Sequence, residues 1–272
     1  MKDITKDDIQ SNIPLTTAIK TQWLDEFIAF GPCTVESIEQ MEQTAEALVK
    51  NGVRYLRGGA FKPLTFPYRN ERMYELRLEG VEILKHIKKQ YDLKIVSEVT
   101  DVSTIDDVID TFDVLQIGSR NMYNYELLKE VAQSNKPVLL KRHFGASLRD
   151  FLGAAEYILS GGNDKVILCE RGISVANTHS LTSRFIADIQ VIPIIKKYTG
   201  LPIVIDPSHA TFDSTIVPDM LYAGAAAGAD GFIIEAHPTP HTAAVDRQNH
   251  ISLQSIPELL HKYNGIKEII DT

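Results

Sequence analysis

Two kinds of polar side chain stand at or just beyond the ends of short apolar runs in this sequence, and each kind points to its own chemistry. The first comprises Cys33, His209, Glu235 and, a few residues beyond the last run, Asp246. Together they offer one thiolate, one imidazole and two carboxylates. A mixed sulfur, nitrogen and oxygen set suits a borderline divalent metal such as Mn, Fe, Co or Zn better than Mg or Ca. Their spacing is not a local zinc motif, and each has a plainer reading. Cys33 can be a small buried thiol, His209 a hydrogen-bonded loop histidine after an Asp-Pro-Ser corner, and Asp246 an exposed loop carboxylate. The second kind comprises Arg57, Lys62, Arg120, Lys141 and Arg171, with Arg142 following Lys141 and Glu98 ending a run of its own. Cations drawn into a pocket need anionic partners, and few acidic residues stand near these. A small ligand carrying both phosphate and carboxylate would answer them, because arginine binds either group in bidentate fashion.

The runs that must position these residues read as strands: FIAFGP (27–32), YLRGGA (55–60), KIVSEV (94–99), VLQIGS (114–119), PVLLKR (137–142), VILCER (166–171), PIVIDP (202–207) and GFIIEA (231–236). A helix-like segment follows each, as in SIEQMEQTAEALVK and YELRLEGVEILKHIKKQ, which are apolar at i, i+3, i+4 spacing. Nearly continuous apolar strands separated by helices indicate a parallel sheet covered by helices. Eight such units in a chain of this length predict a (β/α)8 TIM barrel over 27–272, preceded by a short N-terminal extension over 1–26. A doubly wound open sheet is the competing architecture, but GPCTVES lacks its glycine-rich phosphate loop. On a barrel the C-terminal strand ends share one rim, so both groups of residues should meet there. Alternation along the sixth strand puts Cys169 and Arg171 on one side and Glu170 on the other, with Cys169 inside the barrel.

A net charge of −8 argues against general nucleic-acid binding, which needs a basic face. It leaves room for a pocket where a few arginines converge. No apolar run is long enough for a membrane span, and MKDITKDDIQ lacks a signal-peptide core, so a cytoplasmic protein is expected. Two cysteines are too few for a disulfide framework and fit a reducing compartment.

The segments GPCTVES, YLRGGAFKP, VSEVTD, QIGSRNMYNYELLKEV, PVLLKR, NDKVILCERGI, LPIVIDPSHAT and ADGFIIEAHPTP resemble the 3-deoxy-D-arabino-heptulosonate 7-phosphate synthases. The resemblance is to their short microbial subgroup, itself similar to the 3-deoxy-octulosonate 8-phosphate synthases, and it runs from about Phe27 to the C-terminus. It implies condensation of phosphoenolpyruvate with erythrose 4-phosphate, the first step of aromatic biosynthesis. It further implies Cys33, His209, Glu235 and Asp246 as metal ligands, and Arg57, Lys62, Arg120, Lys141 and Arg171 around phosphoenolpyruvate, with Gln116 and Ser119 nearby and Thr65 on the substrate side. Lys62, Glu98 and His209 become the catalytic candidates, Lys62 as proton donor or acceptor and Glu98 as a carboxylate that orients water. A homo-oligomer, tetramer or dimer, is implied by the resemblance alone.

Several motifs depart from the family. KPLTFP stands where KPRTSP is usual, so Leu64 replaces an arginine that contacts the aldehyde's phosphate. Phe212, Asp213 and Ser214, the sequence LLKRHFG, the segment ISVANTHSLTSRF and the stretch RQNHISL differ as well. All lie on the aldehyde side or in the loops above it. One reading is a paralogue for another aldose, phosphorylated or not; the other is ordinary divergence, with Arg69, Arg72, Arg142 or Arg184 supplying the lost contact. A Schiff-base aldolase using Lys62 or Lys141 is a rival mechanism, and a phosphometabolite-binding pseudoenzyme a rival of another class. Since no second regulatory module is visible, little feedback inhibition by phenylalanine or tyrosine is expected.

Overall fold

Strand β1 (Phe27–Gly31) pairs in parallel with β2 (Tyr55–Arg57) on one side and with β8 (Gly231–His237) on the other, so the sheet closes on itself. Between them run β3 (Lys94–Val99), β4 (Val114–Ile117), β5 (Val138–Lys141), β6 (Val166–Glu170) and β7 (Ile203–Ile205), each parallel to its neighbours in chain order. This is the predicted TIM barrel. The computed structural model describes residues 23–62, 75–176 and 185–270.

Side-chain alternation splits the core into two layers. Phe27, Ala29, Tyr55, Val96, Val114, Leu139, Ile167, Cys169, Val204 and Ile233 fill the barrel interior, as expected for Cys169. Phe30, Leu56, Ile95, Leu115, Leu140, Leu168, Ile205 and Ile234 face outward under the helices. Burying each large apolar side chain contributes about 1.5–3 kcal/mol. Of the predicted extension, Trp23 and Leu24 pack against the interior layer, while residues 1–22 lie outside the described ones.

Helix α1 (Ile38–Lys50) starts where the Ser37 side chain accepts the Gln40 N–H, and it buries Met41, Ala45 and Leu48 on one face. Helix α2 spans Leu78–Tyr91, shorter at its start than the periodicity over 74–90 suggests. Arg77 takes a left-handed φ of 53° and donates its N–H to the Ala60 carbonyl, so the chain turns before the helix begins. Then follow α3 (Ile105–Val108), α4 (Tyr125–Gln133), α5 (Leu148–Ser160), α6 (Val191–Tyr198), α7 (Pro207–Thr211), α8 (Val217–Ala226) and α9 (Ile256–Ile270). A two-residue β9 (Ile251–Ser252) adds to the end of β8.

Most strands stop earlier than their apolar runs predict, at Gly31, Arg57, Ile117, Lys141, Glu170 and Ile205. Beyond these points the chain leaves the ladder to build the rim. Gly31 makes one such exit possible. Its φ is 149°, and a Cβ there would run into the Arg57 carbonyl, so only glycine lets β1 approach β2 this closely.

Candidate active site

The rim gathers the four metal-type residues from three parts of the chain. Cys33 follows β1, His209 lies in α7, Glu235 in β8, and Asp246 in the loop after it. One donor atom from each falls within 4.8 Å of the others. Cys33 Sγ is 3.1 Å from Asp246 Oδ2, and His209 Nε2 is 3.4 Å from Glu235 Oε1. Glu235 is fully buried, and its Oε2 has no hydrogen-bond partner among the described residues. A buried carboxylate oxygen left without a partner is costly unless a cation meets it, so the donor set and this oxygen both fit a divalent metal.

Electrostatics fit as well. Burial opposes ionisation of Glu235, but His209 and Arg57 overcome it and hold the carboxyl well below its usual range. Burial, reinforced by Glu235, pushes the Cys33 thiol well up, with Lys62 opposing. The hydrogen bonds agree: the thiol donates to Asp246 while Lys62 Nζ donates to the sulfur at 2.7 Å. Burial also pulls on Lys62, yet the carboxylates of Asp246 and Glu235 help raise it overall, which keeps the ammonium charged.

Few acidic residues stand near the cations in sequence, but folding brings acidic partners to them from distant strands. Arg57 donates to Glu235 Oε1 at 2.6 Å, and Lys141 Nζ to Asp206 Oδ2 at 2.6 Å. Arg142 binds Glu170 at 3.0 Å, Asp188 at 2.8 Å and the Ala146 carbonyl, so it is committed to the scaffold and does not reach for an aldehyde phosphate. Arg171 is buried beyond β6 with its guanidinium 4.5 Å over the Phe185 ring, and Arg120 is exposed on the turn after β4. Ser119 is on the same turn, its hydroxyl donating to the Arg142 carbonyl. Gln116 donates to Glu98 Oε2 at 3.1 Å, and Gly118 leaves the room Glu98 occupies, since a Cβ there would overlap its carboxylate. Leu64, Thr65, Phe66, Arg69, Arg72 and Arg184 lie outside the described residues.

Asp206 escaped the sequence reading. It joins the two groups: Oδ2 accepts from both Lys141 Nζ and His209 Nδ1, the latter at 2.7 Å, and Oδ1 accepts the His209 backbone N–H. This fixes the imidazole with Nε2 turned to Glu235, an arrangement common behind metal-binding histidines. A signal existed in Asp-Pro-Ser-His, where Asp is an N-cap, Pro the first helical residue and His the third. Ser208 was also overlooked; its hydroxyl accepts the Glu235 N–H at 2.9 Å.

Comparison with known proteins gives the same picture. A sequence profile of the DAHP synthetase I family matches residues 20–272. A phospho-2-dehydro-3-deoxyheptonate aldolase of Thermotoga maritima is 39% identical over 243 residues, which is 89% of this chain and 70% of that protein. A 2-dehydro-3-deoxyphosphooctonate aldolase of Francisella tularensis subsp. holarctica is 27% identical over 259 residues, 90% of this chain and 92% of that one. The crystal structure of the Thermotoga maritima aldolase (DAHP synthase) superposes with a TM-score of 0.85 at 35% identity, covering 96% of this chain and 76% of that one.

Proposed function

The chain belongs to the DAHP synthetase I family, and on that premise we propose how its own residues carry the reaction. It is a transferase that condenses phosphoenolpyruvate with erythrose 4-phosphate to give 3-deoxy-D-arabino-heptulosonate 7-phosphate and phosphate, at the head of the shikimate pathway. The observation that carries the residue assignment is the convergence of Cys33, His209, Glu235 and Asp246 within 4.8 Å beside Arg57, Lys62 and Lys141.

These four residues would hold a divalent ion of the Mn, Fe, Co or Zn type. When bound, the ion supplies Lewis acidity toward the aldehyde oxygen. Arg57, Lys141, Arg171 and Arg120, with Gln116, Ser119 and Thr65 alongside, bind and orient phosphoenolpyruvate against the aldehyde. A bond forms between the enol carbon and the aldehyde carbon. Lys62 delivers a proton from Nζ to the aldehyde oxygen as it becomes a hydroxyl; its acidic neighbours keep it in the ammonium form, the one that has a proton to give. Water, oriented by Glu98, adds to the second carbon of phosphoenolpyruvate and gives one proton to Glu98. The C–O bond to phosphate then breaks as the carbonyl forms, Glu98 passing its proton to the departing phosphate and the hydroxyl proton returning to Lys62. Loss of turnover in Lys62→Met with metal binding retained is the outcome the proton role requires.

The rival is the octulosonate 8-phosphate synthase reaction. Relatives at lower identity carry out that reaction by name, whereas the motif Lys-Pro-Leu-Thr favours the seven-carbon product, and Leu64 in place of the usual arginine bears only on how the aldehyde is held. Phosphate release from phosphoenolpyruvate in manganese, with erythrose 4-phosphate, arabinose 5-phosphate or unphosphorylated aldoses, separates the two. Chelator-sensitive turnover fastest with erythrose 4-phosphate is expected; preference for arabinose 5-phosphate would reassign the acceptor. A homo-oligomer, tetramer or dimer, completes the reading on family resemblance, and light scattering measures it. A cytoplasmic location is part of it too, which suits the two free cysteines and is checked by fractionation. No described helix is long and apolar enough to cross a membrane.

A further inference from the structure

His250 is 2% exposed and bonded at both ring nitrogens. The Cys33 backbone N–H points at Nε2 from 2.9 Å. A backbone amide can only donate, so Nε2 carries its lone pair and the ring proton sits on Nδ1. Nδ1 then donates to the Asp246 carbonyl at 3.0 Å. One neutral imidazole thus spans two residues separated by most of the chain.

Both partners belong to the metal set, and they are its two loop-borne members. The other two are fixed independently, Glu235 by β8 and Ser208, His209 by Asp206. Asp246 has a left-handed φ of 51°, an uncommon conformation that aspartate adopts more readily than most residues. The surroundings are rigid. The His237 ring meets His250 edge-on at 5.5 Å, and β9 starts at the next residue, where Ile251 pairs with Ala236 of β8.

We propose that His250 is a positioning residue for the metal centre: it clasps the Cys33 and Asp246 backbones together and thereby sets the separation of their thiolate and carboxylate for a divalent cation. The proposal rests on reading Cys33, His209, Glu235 and Asp246 as the metal ligands. His250 itself does not touch the ion. The orientation of its lone pair and proton, not the bulk of its ring, is what matters.

The test is a Co(II) titration of the metal-free full-length chain, followed through the thiolate-to-cobalt charge-transfer band. His250→Phe keeps a ring but neither hydrogen bond, whereas His250→Gln keeps one acceptor and one donor. Phe should weaken cobalt binding by roughly 10–100-fold, the usual effect of losing a residue that orients ligands, and should shrink the charge-transfer band. Gln should recover most of both. A His250→Phe chain that binds cobalt like the parent with an undiminished band overturns the proposal. A parent chain with no thiolate band overturns instead the metal assignment beneath it. Should the Phe variant fail to fold, ¹⁵N spectra of the histidine-labelled parent decide: a proton on Nδ1 is expected, and a proton on Nε2 sinks the clasp.

Discussion

Asp206 holds a lysine and a histidine through the same carboxylate oxygen, and it is 1% exposed. Burial opposes its charge, but His209 and Lys141 hold it far below the usual carboxylate range. An amide in its place offers one oxygen without charge, leaving the Lys141 ammonium uncompensated in a site where water does not reach. Asp206→Asn should therefore cost about 3–5 kcal/mol of stability, read by urea unfolding. Metal affinity or turnover should also fall roughly 10–100-fold, because the His209 ring loses its orienting partner. Loss of stability with normal metal binding would mean that Asp206 serves only Lys141. The site was legible in the sequence to the extent that its residues end strands. Cys33, Arg57, Glu98, Lys141, His209 and Glu235 were found that way, and Asp206 was within reach through its helix-cap pattern. His250 was not, since nothing local ties position 250 to position 33.

At the scale of elements, Arg142 just past β5 and Glu170 at the end of β6 form an ion pair that does no chemistry but fixes the loops that do. Glu170 receives Arg142 on one oxygen and the Gly172 N–H on the other, directly behind Lys141 and Arg171. Burial raises Glu170 despite Arg142, so the pair is under electrostatic load. Arg142→Met should cost about 3–5 kcal/mol near neutral pH by stranding that carboxylate. The sign with pH follows from the raised carboxyl. A folded form that takes up its proton more readily than the unfolded chain is stabilised, relative to neutral pH, as pH falls toward the raised value. The deficit of the variant should then shrink between about pH 7 and pH 5 in paired unfolding curves; a constant deficit would point to lost packing instead. The same two strands show why the fold was readable and its edges less so. Apolar runs mark strands, but PVLLKR and VILCER each continue past the last ladder residue, Lys141 or Glu170, into a rim arginine. Hydrophobicity does not record where hydrogen bonding stops. Such runs also hid the partners of the cations, which lie on neighbouring strands and not in neighbouring sequence.

Over the whole molecule, barrel closure brings β1 against β8 and so sets a neutral thiol beside two carboxylates and an imidazole. That neutrality has a measurable consequence. Burial, then Glu235, pushes the Cys33 thiol well above its ordinary value, so near neutral pH the metal-free chain keeps its proton. A metal ion needs the thiolate, so loading must expel that proton. Apparent metal affinity should then climb about tenfold per pH unit for one proton released. Linkage gives the matching stability effect. A thiol whose folded value is raised stabilises the apo protein below the unfolded value of about 8.5 and loses that contribution as pH rises beyond it. Bound metal removes this loss by fixing the thiolate, so the gain in melting temperature on adding metal should widen as pH increases. Calorimetric titration in two buffers of different ionisation enthalpy counts the protons directly. A value near one supports Cys33 as a ligand entering from its thiol form. A value near zero, with affinity flat in pH, would mean either that Lys62 already holds a thiolate at 2.7 Å or that the metal bypasses Cys33, and Cys33→Ser separates these by abolishing tight binding only in the first case.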